Sequence, residues 1–276
     1  MRGTAHGVDG ARIAFETHGA GYPLVFLHGS CLSRVMWRGL GFTEVLARSL
    51  RVIAVDLRGH GRSDKPADPA AYDRTLLVQD VLAVLDVLEL PAAHVAGYSL
   101  GGCVGFALLA RAPARVTSLV SLAGPIRTQP GSVGRIIVPD YEEALLAGGM
   151  KELVRRWERA RGAFDPQTRL ALEANDAGAM RALLTATDHD PGADRDALRE
   201  LDTPALFVTG DRDALGMEAA VEARSVMPGL TSHVLPGRDH SDLLRPPGEV
   251  LRLMAPFLRA QTPTAGGPSL VTAPTA

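Results

Sequence analysis

The chain has 276 residues, a formal net charge of −2, and 46% hydrophobic against 22% charged residues. That length supports one large α/β domain, or a core with a small insertion, in the balance of an ordinary globular protein. The near-neutral charge leaves no field for nucleic acid or anionic lipid, and no apolar run is long enough to span a bilayer.

The N-terminal stretch MRGTAHGVDGARIAF lacks the apolar segment of a signal peptide. Two cysteines, Cys31 and Cys103, make no disulfide framework and are read as reduced thiols in a cytoplasmic protein. In GVDGARIAFETHG, Asp9-Gly10 supplies a turn, and Ile13 and Phe15 alternate with polar residues as in a hairpin. PLVFLHGS is a short apolar strand, Leu24 to Leu27, that ends at a glycine, and VMWRGLGFTEVLARSL is broadly helical. RVIAVDL, apolar on both faces from Val52 to Val55, has the character of a buried parallel strand. Leu77, Val81, Val84, Leu85 and Leu88 recur at helical spacing before Pro91. The strand AHVAGYS, the helix LGGCVGFALLARAP and the strand Val116 to Gly124 follow. Strands alternating with helices predict a mostly parallel central sheet flanked by helices.

From Pro125 to about Glu200 the pattern is helical, with no buried strand. The sheet resumes at Ala205 to Thr209, and helix, strand and a last helix follow. The expected organisation is therefore a core of residues 1–124 and 201–260, a small helical cap at 125–200, and a disordered tail at 261–276. Trp157, Phe164, Met150 and Tyr141 are candidates for lining a pocket under that cap, or for its own core.

The stretch VAGYSLGGC, Val95 to Cys103, puts a serine where a strand runs into a helix. Gly97 and Gly101 remove side chains that would collide in so sharp a turn. The helix N-terminus adds unpaired N–H groups and a positive dipole end. A serine hydroxyl needs a base. Of eight histidines, His240 lies in the loop after the last strand, on the edge that carries Ser99. The base in turn needs a carboxylate to hold its tautomer. Asp213, three residues past Gly210, is preferred, with Asp211 its close competitor. For the oxyanion, the backbone N–H groups of Leu100 and of Ser30, in LHGS, are the candidate donors. No Cys/His cluster has metal-ligand spacing, and no cofactor is implied.

HGS (28–30), DLRGHGRSD (56–64), GYSLGG (97–102), GDRD (210–213) and GRDH (237–240) occur in this order, and on them the chain resembles the α/β-hydrolase family. The nearest likeness is to its small esterases, enol-lactone hydrolases and cofactor-free haloperoxidase-type enzymes. The resemblance implies Ser99 as nucleophile, Asp213 as acid and His240 as base, with Ser30 and Leu100 as oxyanion donors. It gives DLRGHGRSD a structural part beside the pocket, with no catalytic role for Asp56, Arg58 or His60. The expected substrate is a small-molecule ester or lactone. The rivals are C–C bond hydrolysis, perhydrolysis or a lyase or cyclase step by the same triad, and a non-catalytic receptor that keeps the pocket for binding.

Overall fold

The computed structural model describes residues 1–263. Of the expected tail, residues 264–276 lie outside the described residues; Gln261 still closes the last helix. Strands β1 (Arg2–His6) and β2 (Arg12–His18) form the hairpin around Asp9-Gly10, with Gly10 at φ 83°. The strands β3 (Tyr22–Leu27), β4 (Leu50–Val55), β5 (Ala93–Tyr98), β6 (Val116–Leu122), β7 (Ala205–Gly210) and β8 (Thr231–Leu235) run parallel. One sheet results, in the order β1-β2-β4-β3-β5-β6-β7-β8.

Alternation along each strand divides the core in two. Val25, Leu27, Ile53, Val55 and Val95 face helices α3 (Arg74–Val87) and α4 (Leu100–Arg111). Leu24, Phe26, Val52, Ala54 and Ala96 face the other way. There they meet α1 (Val35–Gly39), α2 (Phe42–Leu46) and the C-terminal helix, which carries Val250, Met254 and Leu258. Phe26 stacks on Trp37 at 4.2 Å between ring centroids, and both are fully buried.

The helical stretch expected at 35–50 is two short helices, because Gly41 takes a left-handed φ of 85° between them. Helix α3 ends before Pro91 is reached, with Glu89 at φ 54°. Between β6 and β7 come α5 (Ser132–Ile136), α6 (Tyr141–Arg161), α7 (Pro166–Glu173), α8 (Ala177–Asp188) and α9 (Arg195–Arg199). Helix α6 is broken at Gly148-Gly149, whose backbone leaves the helical region. Helix α10 (Ala214–Val226) joins β7 to β8, and α11 (Pro247–Gln261) closes the described chain. No helix of the described residues is long and apolar enough to cross a membrane.

Besides the ladder between β2 and β4, a buried cation ties the hairpin turn to α3. Arg58, 1% exposed, donates to both carboxylate oxygens of Asp80 on α3, at 2.8 and 2.9 Å, and also pairs with Asp9 in the hairpin turn. Asp80 is equally buried. Removing one partner of a buried pair leaves an uncompensated charge and costs about 3–5 kcal/mol. Because Asp9 still pairs with Arg58, Asp80→Ala is expected to lower the unfolding free energy by about 3 kcal/mol, the low end of that range, read from urea denaturation. A loss indistinguishable from that of an exposed aspartate would contradict this account of the hairpin's attachment.

Candidate active site

Three loops at the carboxyl ends of parallel strands meet here. Strand β5 runs directly into α4, and Ser99 is the residue between them. Its backbone sits at φ 52°, ψ −116°, a conformation that costs a non-glycine residue about 1–3 kcal/mol. Close packing holds it there. A Cβ on Gly97 would overlap the Gly101 carbonyl, one on Gly101 would overlap the Leu27 carbonyl, and one on Gly124 would overlap the Ser99 carbonyl. The Ser99 N–H donates to the Leu122 carbonyl of β6 at 2.9 Å, so the turn is tied to the neighbouring strand.

The turn aims the hydroxyl at a histidine. Ser99 Oγ lies 2.9 Å from His240 Nε2, and His240 Nδ1 lies 2.8 Å from Asp213 Oδ2. The three residues are brought together from positions 99, 213 and 240. His240 is only 15% exposed, and Asp213 is buried. Asp213 also caps α10, its Oδ1 accepting from the Gly216 N–H at 2.9 Å. Burial pushes its carboxyl up, but the hydrogen bond and charge of His240 and the Gly216 N–H outweigh that, holding it below the usual carboxylate range. Asp211 goes elsewhere: it is exposed and accepts from the Gly237 N–H at 2.7 Å, closing the turn that precedes His240. A carboxylate that accepts from imidazole Nδ1–H leaves Nε2 free to accept a proton from a hydroxyl.

The two candidate backbone donors border the same cavity as the hydroxyl. Leu100 opens α4, and Ser30 follows the glycine after β3. Among the described residues neither N–H has a hydrogen-bond acceptor. Both residues line a cavity of about 410 Å³ together with Ser99 and His240, within the range of ordinary small-molecule sites. Its apolar wall comes largely from the segment between β6 and β7, including Val133, Ile137, Trp157, Phe164 and Leu184. Of the four aromatic and sulfur candidates, Trp157 and Phe164 line it, while Met150 and Tyr141 are packed into the core. Farther out, Arg127 and Arg195 both approach Glu222, at 3.2 and 3.6 Å. Cys103 lines the cavity; Cys31 is fully buried, and burial pushes its thiol up to about 12. Among the described residues no group of three or more His, Cys, Asp or Glu side chains is placed to hold a metal ion.

Tyr98 had no part in the reading of the sequence. Its hydroxyl donates to the His240 carbonyl, and its ring lies against the imidazole at 5.6 Å with an interplanar angle of 30°. The only signal available was its place beside the serine. His28, in HGS, and His60, in DLRGHGRSD, are both fully buried and bonded to backbone.

A family model described as alpha/beta hydrolase fold matches residues 22–243. The chain is 32% identical over 266 residues to the pimeloyl-[acyl-carrier protein] methyl ester esterase of Methylococcus capsulatus, covering 88% of this chain and 97% of that protein. Over 112 residues it is 42% identical to the 2-hydroxymuconate semialdehyde hydrolase of Pseudomonas sp. strain CF600, covering 40% of this chain and 39% of that one. In fold it is similar to a carboxylesterase structure from Nitrososphaera gargenis, with a TM-score of 0.83 at 23% identity over 94% of this chain and 99% of that chain.

The Tyr98 contact makes a prediction of its own. Tyr98→Phe keeps the ring against His240 but leaves its carbonyl without that donor, at a cost of about 1 kcal/mol. Faster amide hydrogen exchange is expected at residues 239–242, with little change in the helices of the opposite face. Unchanged exchange in that loop would show that the hydroxyl does not hold it.

Proposed function

The chain belongs to the α/β-hydrolase family, and from that footing we propose that it is a serine hydrolase acting on a small carboxylic ester or lactone through an acyl-enzyme on Ser99. The observation that carries this reading is the hydrogen-bonded series Asp213–His240–Ser99, with the hydroxyl at the N-terminus of α4. Likeness to an esterase along nearly the whole of both chains supports it.

His240 Nε2 takes the proton from Ser99 as Oγ bonds to the carbonyl carbon. The carbonyl oxygen becomes an anion, held by the N–H groups of Ser30 and Leu100 with the dipole of α4 behind the second. Asp213 keeps Nδ1 protonated and stabilises the imidazolium. Collapse of the intermediate breaks the bond to the leaving oxygen, which takes the proton from Nε2. A water then gives a proton to Nε2 and bonds to the acyl carbon; the carbon–Oγ bond breaks, Oγ takes the proton back from Nε2, and the acid leaves. Asp211 has no part in these steps.

Residues 125–200 form the cap in this proposal. Its contribution is the apolar wall of Val133, Ile137, Trp157, Phe164 and Leu184, which favours a substrate with a hydrophobic acyl or alcohol group. A second reading gives the same three residues a substrate other than an ester. It is favoured by the local likeness to a semialdehyde hydrolase. Labelling of Ser99 by a phosphonate, without turnover of any ester in a broad panel, would select that second reading.

Ser99→Ala is expected to lower kcat on short-chain aryl esters by at least about 10⁴-fold. Asp213→Asn should cost about 10⁴-fold, since an amide permits the wrong imidazole tautomer, whereas Asp211→Asn should stay within about tenfold of the wild type. Near wild-type hydrolysis by Ser99→Ala would sink the proposal. A larger loss at position 211 than at 213 would reverse the assignment of the acid.

A further inference from the structure

Two buried histidines lie behind the oxyanion loop, outside the series that ends at Ser99. Their bonds are reciprocal. His28, on the loop after β3, accepts at Nε2 from the Leu57 N–H of the loop after β4, at 3.0 Å. His60, on the loop after β4, accepts at Nε2 from the Cys31 N–H of the loop after β3, at 3.1 Å. A backbone N–H only donates, so each Nε2 is an acceptor and each ring carries its proton on Nδ1. Those Nδ1–H groups donate to the Gly29 carbonyl at 2.8 Å and the Arg58 carbonyl at 3.0 Å. The rings meet edge to face with centroids 4.7 Å apart, both fully buried.

The bond from His28 to the Gly29 carbonyl fixes more than a loop. The Gly29–Ser30 peptide is trans and planar, so its C=O and N–H point in opposite directions. The Gly29 oxygen is held by His28 Nδ1–H and by the Leu32 N–H at 3.2 Å. The Ser30 N–H of the same peptide must then face the other way, on the side where Gly29 and Ser30 line the cavity. The next peptide is fixed by His60 through the Cys31 N–H, and Cys31 takes a left-handed φ of 61°.

Resting on the serine-hydrolase reading, we propose that His28 and His60 are positioning residues that set the orientation of the oxyanion peptide, His28 by anchoring the Gly29 carbonyl and His60 by anchoring the Cys31 N–H. Both must stay neutral to do this, because a protonated Nε2 accepts nothing. Burial supplies that condition: it pushes His28 down to about 4 and His60 well below its ordinary value. The loop after β4 is itself held by Asp56, fully buried, which pairs with Arg34 and accepts from the Arg34 and Arg62 N–H groups at 2.9 and 2.8 Å.

Two substitutions at position 28 separate a positioning role from a merely structural one. In His28→Asn the amide nitrogen takes the place of Nδ1 and keeps the donor to Gly29, losing the acceptor. In His28→Gln the amide oxygen takes the place of Nε2 and keeps the acceptor for Leu57, losing the donor. Both should lower the urea midpoint to a similar extent. On an aryl ester, His28→Gln should lose about 10²-fold in kcat with KM nearly constant, the scale of one lost oxyanion donor. His28→Asn should lose about tenfold less, roughly 10-fold in all. Equal losses in the two variants, or a loss that follows the midpoint alone, overturn the proposal. If the variants do not fold, long-range ¹⁵N–¹H NMR of the wild type at pH 7 decides: Nδ1–H tautomers at both histidines support it, and an Nε2–H tautomer at His28 overturns it. Ser99-dependent turnover by the wild type is measured alongside. Its absence removes the serine-hydrolase reading itself, a different result from normal turnover that position 28 does not affect.

Discussion

The strained turn at Ser99 is the constraint around which the rest of the site is built. A side chain that must project from a sheet edge while its backbone enters a helix has almost no allowed conformation. The strain, about 1–3 kcal/mol, is sustained by the burial of α4, whose residues Leu100 to Leu109 are all buried. It is sustained also by contacts so close that only glycine fits at Gly97, Gly101 and Gly124. A methyl at any of these positions would drive strand and helix apart and carry the hydroxyl away from His240. The placement of the serine thus depends on atoms that take no part in chemistry.

Sheet order then determines what can meet that hydroxyl. Strand β3 lies between β4 and β5, so the chain departs in opposite directions from the two sides of β3. Such a reversal opens a crevice at the carboxyl ends of the strands, where ligands bind in open α/β sheets. The loop after β3 brings Ser30 to one side of the crevice and β5 brings Ser99 to the other. Strands β7 and β8 continue in parallel beyond β6, so their loops carry Asp213 and His240 to the same edge. Asp213 serves two structures at once, capping α10 with one oxygen and holding His240 with the other. Position 213 of the loop is thereby set by the start of a helix and not by loop length alone.

The sheet and the turn at Ser99 were legible in the sequence because they rest on local chemistry, and His240 because the loops after parallel strands share one sheet edge. Buried parallel strands read as apolar runs, and the glycines flanking Ser99 fall where a strand runs into a helix. The choice between Asp211 and Asp213 was open for a physical reason. Both follow the same strand, and only their hydrogen bonds tell Asp211, which accepts from the Gly237 N–H, from Asp213, which accepts from His240. The roles of Tyr98, His28 and His60 were not legible, because each depends on a contact between loops distant in the chain. Tyr98 reaches a carbonyl 142 residues away. The direction in which side chains between β6 and β7 point was closed for a similar reason. Trp157 and Met150 lie on the same helix and are both buried, yet only Trp157 reaches the cavity.

Neutral imidazoles suit the place behind the oxyanion peptide better than the groups more often used to tie loops together. A carboxylate there could accept from the Leu57 or Cys31 N–H, but it could not donate to the Gly29 carbonyl, and its charge would oppose an anion forming nearby. An ammonium or guanidinium could donate to that carbonyl but could accept from neither N–H. A single amide lacks the reach to hold both loops, since its donor and acceptor sit on one carbon. Imidazole alone presents one donor and one acceptor on opposite sides of a rigid ring with no net charge. Asp56, which opens the loop after β4, is already committed to Arg34 and two backbone N–H groups. Desolvation, which usually counts against a buried ionisable group, here enforces the one protonation state in which both loops remain bonded.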